Sequence, residues 1–150
     1  MRKDIEDLIE NLKLPTLGFE SNYKCAEEYL TPDEKVLFIY PGSGGISEIK
    51  RDENFVPIQL NLENKKQGIF VITTNRIFHA SSILGEGFEQ IDKEEIVTYR
   101  AFKSQLAVRV MEIFSNTRVL EVELSYKKQI VKAAGKAVMF LIDSESSSEI

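Results

Sequence analysis

The feature that most constrains this chain is a succession of short apolar or alternating runs between Lys35 and Leu124, separated by turn residues. Runs of this length, with turns every few residues, favour a sandwich or barrel of antiparallel strands. The predicted strands are Lys35–Tyr40, Val56–Leu62, Ile69–Thr73, Arg76–Ser81, Phe88–Ile91, Glu95–Phe102, Leu106–Phe114 and Val119–Leu124. The proline at position 57 places the second of these runs at a sheet edge.

Helical periodicity flanks the strand region on both sides. The first helix, over residues 4–13, has its apolar positions at i, i+3, i+4 and i+7, namely Ile5, Leu8, Ile9 and Leu12. A second short helix is predicted over residues 21–30. A last helix is predicted over residues 126–142, and its apolar stripe, widened at three positions, consists of Ile130, Ala134, Ala137, Val138 and Leu141 with Val131, Phe140 and Ile142. We therefore divide the chain into a helical extension (1–30), a β-rich domain (31–142) and a polar tail (143–150) that we expect to fray.

The composition is that of one compact globular domain. The chain has 150 residues, of which 43% are hydrophobic and 29% are charged, so it is not a disordered chain. Its net charge of -5 argues against broad binding to nucleic acid or anionic lipid. No apolar run approaches the ~20 residues of a membrane span, and we read no secretory signal at the start. The single cysteine, Cys25, fits a reducing, cytoplasmic setting.

One segment has a family likeness. Residues 68–80, Gly-Ile-Phe-Val-Ile-Thr-Thr-Asn-Arg-Ile-Phe-His-Ala, resemble the Gly-hydrophobic-Thr-x-x-Arg-hydrophobic hairpin of bacterial pleckstrin-homology-like (PH-like) domains, in their YokE-like and GRAM-like branches. Residues 31–36 are similar to the family's opening turn, and residues 90–96 to a strand that follows the hairpin. The resemblance covers about residues 31–142. It implies a partly open barrel or sandwich of seven to eight antiparallel strands, closed by a C-terminal helix.

The hairpin residues have a structural explanation of their own. Asn75 tolerates the positive φ of a two-residue turn, and the Thr73 hydroxyl can bond to the turn backbone. Arg76 leaves the turn and could bond to carbonyls or to an acidic neighbour. With Gly68, these residues are interpreted as a structural motif. Two departures from the family pattern, the long stretch 41–67 and the N-terminal helices, are where a function particular to this chain could lie.

No catalytic residue, metal ligand or cofactor is predicted. The glycines of residues 41–45 lack the lysine of a phosphate-binding loop, so this stretch is interpreted as a flexible loop. His79 is the only histidine and has no zinc-site or nucleophile-elbow context, so a structural role is favoured. Glu121 and Glu123 share a strand face, which is more typical of a solvated surface than of acid–base or cation chemistry. A hydrolase is therefore a distant third hypothesis.

Four basic residues are ligand or headgroup candidates: Lys50, Arg51, Lys65 and Lys66. Eukaryotic PH domains bind phosphoinositide headgroups with basic side chains near the first strand loop, and these four residues occupy roughly that place. Acidic neighbours, among them Glu48 and Asp52, dilute the charge. Attraction to a membrane surface is therefore expected to be weak.

The apolar stripe of the first helix, Ile5, Leu8, Ile9 and Leu12, is a candidate interface. It packs either on its own barrel or on a neighbouring chain, and exposed apolar patches commonly mark interfaces. The sequence leads to the hypothesis of a non-catalytic cytoplasmic binding or assembly module, whose partner is another protein or a second copy. A headgroup or small-ligand binder that uses residues 41–67 is the alternative.

Overall fold

The structure is a computed structural model that describes residues 1–49, 65–81, 87–103, 108–125 and 127–148, with side chains to Asp143 in the last helix. Two helices precede the sheet, α1 (Lys3–Leu12) and α2 (Glu20–Tyr29), and one follows it, α3 (Lys128–Ser148). The strands are β1 (Val36–Glu48), β2 (Lys66–Thr73), β3 (Arg76–Ala80), β4 (Phe88–Asp92), β5 (Thr98–Lys103), β6 (Arg109–Phe114) and β7 (Arg118–Leu124). A single 3-10 turn, Lys93–Glu95, joins β4 to β5.

The strands form one antiparallel seven-stranded sheet in the order β4-β3-β2-β1-β7-β6-β5. β1 is 13 residues long and belongs to both halves of the sheet. Its residues from Val36 to Gly44 pair with β2, and those from Gly44 to Glu48 pair with β7. The predicted fold class is confirmed, because an antiparallel seven-stranded sheet followed by a C-terminal helix is consistent with a PH-like sandwich or barrel.

The core lies between the sheet and α3. The apolar stripe predicted for the last helix is confirmed, because Ile130, Ala134, Val138 and Leu141 are all buried. On the sheet side they meet alternating strand residues such as Phe38, which is fully buried. Burial of this continuous apolar face is what fixes the helix on the sheet.

The interpretation of residues 41–45 as a flexible loop is wrong, because they are the middle of β1. A Cβ atom on Gly42 would lie 2.5 Å from the Glu123 carbonyl oxygen, so glycine is needed for close approach of β7. The strand continues beyond these glycines to Glu48. Glycine here therefore serves the packing of the sheet and does not end the strand.

Several predicted boundaries shift. α3 continues to Ser148, so the polar tail predicted over residues 143–150 is helical for most of its length. β5 begins at Thr98 because residues 93–95 form the 3-10 turn, where Asp92 and Glu95 make a reciprocal capping box. The predicted edge strand Val56–Leu62 lies outside the described residues.

The N-terminal helices pack on the chain's own sheet. Ile5 is fully buried, and the other three residues of the α1 stripe, Leu8, Ile9 and Leu12, are partly buried against the core. Asp4 accepts a 3.0 Å hydrogen bond from the Val36 N–H, which ties α1 to the start of β1. Of the two outcomes that the sequence left open, the structure shows packing on the chain's own barrel, with one of the four stripe residues fully buried.

Candidate functional site

The hairpin motif forms the turn between β2 and β3. The chain reverses at Thr74 and Asn75, as predicted. The Thr73 hydroxyl accepts hydrogen bonds from the backbone N–H groups of Asn75 at 3.1 Å and Arg76 at 3.2 Å. The positive φ expected of Asn75 is not used, since among the described residues Lys13 is the only non-glycine with a positive φ. The turn is held by the Thr73 side chain instead.

Arg76 is the centre of a hydrogen-bonded network that joins its hairpin to three other parts of the chain. Its guanidinium binds the Glu34 carboxylate with two contacts, Nε to Oε2 at 3.0 Å and Nη2 to Oε1 at 3.1 Å. It also donates to the Tyr29 carbonyl at 2.6 Å and to Gln90 Oε1 at 2.8 Å. This bidentate arginine–carboxylate geometry is the strong and directional form of such an ion pair.

Glu34 is the partner that the sequence analysis did not name. Its side chain is only 1% exposed, and its Oε2 accepts a 2.6 Å hydrogen bond from the Thr73 hydroxyl. Burial opposes its ionisation, but the Arg76 guanidinium and the Thr73 hydroxyl outweigh that effect and lower the pKa of Glu34. The hydrogen-bond donors to the Glu34 carboxylate come from Thr31, Thr73 and Arg76 of the same chain. This cluster therefore connects parts of the fold and does not present its carboxylate to a ligand.

Gly68 of β2 also makes contacts that hold parts of the fold together. Its carbonyl oxygen accepts a 2.9 Å hydrogen bond from the Asn22 side chain, which ties α2 to β2. A Cβ atom at this position would lie 2.1 Å from the Ala80 carbonyl oxygen, so β2 and β3 could not pair there with any larger residue. The contacts of Gly68 are therefore those of a packing position.

The structure describes two of the four basic candidates. Lys50 and Arg51 lie outside the described residues. Lys65 and Lys66 lie on the wall of a cavity of about 550 Å³, at the end of the sheet where β2 begins. The remaining described lining is Gly44, Gly45, Ile46, His79, Ser81, Gly87 and Glu89.

Lys65 is already paired within the chain. Its Nζ lies 2.6 Å from Glu121 Oε2 and 3.3 Å from Glu123 Oε1. Burial lowers the pKa of Lys65, but the two carboxylates outweigh that effect and raise it overall. Glu121 is buried, so the expected solvated acidic face is wrong at that position. The ion pairs cancel much of the charge that a headgroup would need from this lysine.

His79, on β3, lies on the wall of the same cavity as Lys65 and Lys66. Its Nε2 lies 2.9 Å from the Gly42 carbonyl oxygen. Cβ atoms on Gly44 and Gly68 would lie 2.7 Å and 2.9 Å from its ring, so both glycines make room for the imidazole. Burial disfavours the imidazolium and lowers the pKa of His79, although the Gly42 carbonyl opposes this in part. A buried, neutral ring with this contact has a structural role.

A second groove lies between the edge strand β5 and helix α3. β5 ends the sheet order, and every residue from Thr98 to Lys103 except Tyr99 is exposed. On α3, Met139 and Phe140 are 41% and 55% exposed. The groove has a volume of about 570 Å³, and its lining is Tyr99, Ala101, Val131, Lys132, Gly135, Lys136, Met139, Phe140 and Asp143.

The floor of this groove depends on one helical glycine. A Cβ atom on Gly135 would lie 2.8 Å from the Tyr99 hydroxyl oxygen, so glycine lets the tyrosine lie on the helix backbone. Sequence reasoning missed this groove because Phe140 was assigned to the widened core stripe of the last helix. The available signal was the helical period: Met139 and Phe140 both fall between Val138 and Leu141, the buried positions.

In comparisons with known proteins, no protein-family model matches the chain, and no significant match is found among curated proteins. None of the helices within the described ranges is long and apolar enough to cross a membrane. Across the same ranges, no group of three or more His, Cys, Asp or Glu side chains is arranged to hold a metal ion.

Proposed function

We propose that this chain is a non-catalytic cytoplasmic binding module, related to the bacterial PH-like domains of the YokE-like and GRAM-like branches, and that its partner is a protein. The observation that carries the proposal is the groove beside β5. There an exposed edge strand lies next to two exposed apolar side chains, Met139 and Phe140. We refer to this surface, with the lining given above, as the β5–α3 groove.

Each part of the groove is a surface that a protein partner covers well. An edge strand presents unpaired backbone N–H and C=O groups, which another chain can satisfy. Exposed apolar side chains grouped beside it provide the area whose burial drives association. Both features in one groove favour a protein ligand over a small polar one.

The headgroup alternative has less support. Of its four basic candidates, the two described ones differ: Lys66 is exposed, but Lys65 is held by Glu121 and Glu123. A headgroup would have to compete with two carboxylates for that lysine. Self-assembly through the α1 stripe also has less support, because Ile5 is buried in the same chain.

Site-specific photo-crosslinking in the native host tests the proposal. A photoreactive phenylalanine analogue replaces Met139 in the groove and, as the matched control, Leu17, an apolar residue that is 90% exposed in the loop between α1 and α2. We expect a discrete protein adduct at position 139 and none at position 17. The adduct partner, once purified, should bind the unmodified chain in calorimetry.

Two results would contradict the proposal. The first is that position 139 gives no protein adduct while expression and folding are normal. The second is that both positions give the same adducts, which would indicate contact without a defined surface.

A further inference from the structure

We propose that the β5–α3 groove takes an extended, acidic segment of the partner, which adds to β5 as a further strand. This inference rests on the proposed function and specifies the class of ligand.

No strand of the described part of the chain pairs with the outer edge of β5. β5 pairs with β6 over six consecutive register positions, from Thr98↔Phe114 to Lys103↔Arg109, and it is the last strand in the sheet order. In an antiparallel ladder alternate residues point their N–H and C=O groups to opposite sides, so half of those of β5 face away from β6. A six-residue strand is about 20 Å long, which matches an extended segment of similar length.

The other edge strand, β4, is a useful contrast. The ring of its Phe88 stacks on Tyr29 of α2, with centroids 4.4 Å apart, and its Gln90 accepts a hydrogen bond from Arg76. These contacts tie β4 to the body of the molecule. β5 has five exposed residues out of six and therefore is the more accessible edge.

The apolar residues of the groove fit a ligand with a period of two. Tyr99 and Ala101 lie on one face of β5 and line the groove together with Met139 of α3. A strand added beside them turns every second side chain toward that face. The ligand should therefore have apolar residues at alternate positions.

The charge of the groove selects an acidic ligand. From Lys128 to Asp143, α3 contains three lysines and one acid, although the whole chain has a net charge of -5. Lys132 and Lys136 line the groove together with one acid, Asp143, and within the part of the chain whose side chains are described neither lysine forms an ion pair. Acidic residues that alternate with the apolar ones face away from α3, so they act on these lysines through longer-range attraction, which favours encounter of the ligand with the groove.

The same charge disfavours a second copy of this chain as the occupant. β5 carries Arg100, which pairs with Glu112 of β6, and Lys103, and it has no acid. Pairing of β5 with its symmetry mate would bring these two cationic residues, with the lysines of α3, toward an identical basic surface. An acidic segment from a different protein meets no such repulsion.

The test uses end-blocked synthetic decapeptides titrated into the full chain, with binding followed by fluorescence anisotropy. One peptide alternates Val and Glu, and its matched control alternates Val and Lys. Two further Val–Glu peptides are N-methylated, one at the odd backbone amides and one at the even ones, which removes the donors from one edge at a time. We expect the Val–Glu peptide to bind, the Val–Lys peptide not to bind, and only one of the N-methylated peptides to lose affinity.

Charge-reversed variants locate the site. Lys132→Glu combined with Lys136→Glu should weaken binding of the Val–Glu peptide by about tenfold or more, since attraction is replaced by repulsion at the rim. The control combines Lys13→Glu with Lys24→Glu, which makes the same change in net charge at exposed positions at the end of α1 and on α2. The control should bind as the unmodified chain does.

Three results would overturn the inference: no binding of the Val–Glu peptide, equal binding of both N-methylated peptides, or equal weakening by the groove variant and the control variant. A dimer in sedimentation that dissociates only in the groove variant would also overturn it, in favour of a second copy. If position 139 gives the protein adduct in the crosslinking test while any of these results is obtained, the proposed function stands and only the strand-addition mode fails. Loss of that adduct is the separate result that removes the proposed function.

Discussion

Glu34 and Arg76 are 42 positions apart in the sequence, and their contact joins the end of α2, the start of β1 and the β2–β3 hairpin. Neither residue alone predicts the pair. The sequence indicated that Arg76 would bond to carbonyls or to an acid, and the structure contains both kinds of contact. Many acidic residues could have supplied the carboxylate, because the choice depends on long-range packing that local patterns do not encode.

Replacing Glu34 by Gln should destabilise the fold by about 3–5 kcal/mol, because the Arg76 guanidinium would be left without its carboxylate in a largely buried site. Urea denaturation measures the free energy of unfolding. The control is Asp7→Asn, which removes an exposed ion pair with Lys3 and should leave stability unchanged. Equal losses in the two variants would contradict the assigned role of Glu34.

His79 predicts a dependence of stability on pH. Burial lowers its pKa in the folded chain, whereas in the unfolded chain it titrates near ~6.5. The unfolded state therefore binds a proton first as the pH falls, so stability is complete above about pH 6.5 and declines below it. His79→Gln should reduce the loss of unfolding free energy between about pH 7.5 and 5.5, as measured in urea. If the variant and the unmodified chain lose the same unfolding free energy over this pH range, the pKa of His79 is the same in the folded and unfolded states.

Residues 41–45 show why part of the candidate site could not be read from the sequence. A glycine-rich stretch after a short apolar run is equally compatible with a loop and with a strand. The difference lies in Gly42 and Gly44, whose missing side chains admit the Glu123 carbonyl and the His79 ring from other strands. By contrast, the reversal at Thr74 and Asn75 was predictable, because its determinants are adjacent in the chain.

At the scale of elements, α3 has two functions on two faces. Val138 and Leu141 are buried against the sheet, whereas Met139 and Phe140 between them are exposed in the β5–α3 groove. The helical period predicted the buried face, since its apolar residues recur at the right spacing. The predicted stripe was drawn wider than the strict period allows, because the helix carries further apolar residues at this turn, and it therefore included the exposed Phe140 with the core.

Truncation of these neighbouring residues should separate the two faces. Leu141→Ala should cost about 2–5 kcal/mol of unfolding free energy, because it leaves a cavity in the core. Met139 lies two residues before Leu141, on the exposed face of the helix. Met139→Ala should change stability little but should weaken binding in the groove. Thermal or urea unfolding measures the first effect, and titration of the Val–Glu peptide measures the second. A loss of less than about 0.5 kcal/mol for Leu141→Ala would indicate that α3 is not packed on the sheet.

At the scale of the whole molecule, the N-terminal extension is part of the core. Arg2 donates to the Thr31 carbonyl at 3.0 Å, Asp4 accepts from the Val36 N–H, and Ile5 is fully buried. The amphipathic stripe of α1 was predictable from its period, but its partner surface was not. A sequence pattern shows that a face will be buried without showing whether the same chain or another chain covers it.

Removal of residues 1–20 should therefore unfold or strongly destabilise the chain, since it takes away Ile5 and Leu14 from the core and the Asp4 carboxylate from the start of β1. A milder variant keeps the test decisive if the truncated chain cannot be purified. Ile5→Ala should lower the free energy of unfolding by about 2–5 kcal/mol, whereas Leu17→Ala, at an exposed position, should have almost no effect. Sedimentation of the full chain and of Ile5→Ala should give the same oligomeric state, because Ile5 is buried in the core of its own chain. A truncated chain that stays folded while an oligomer of the full chain falls apart would show instead that α1 is an interface.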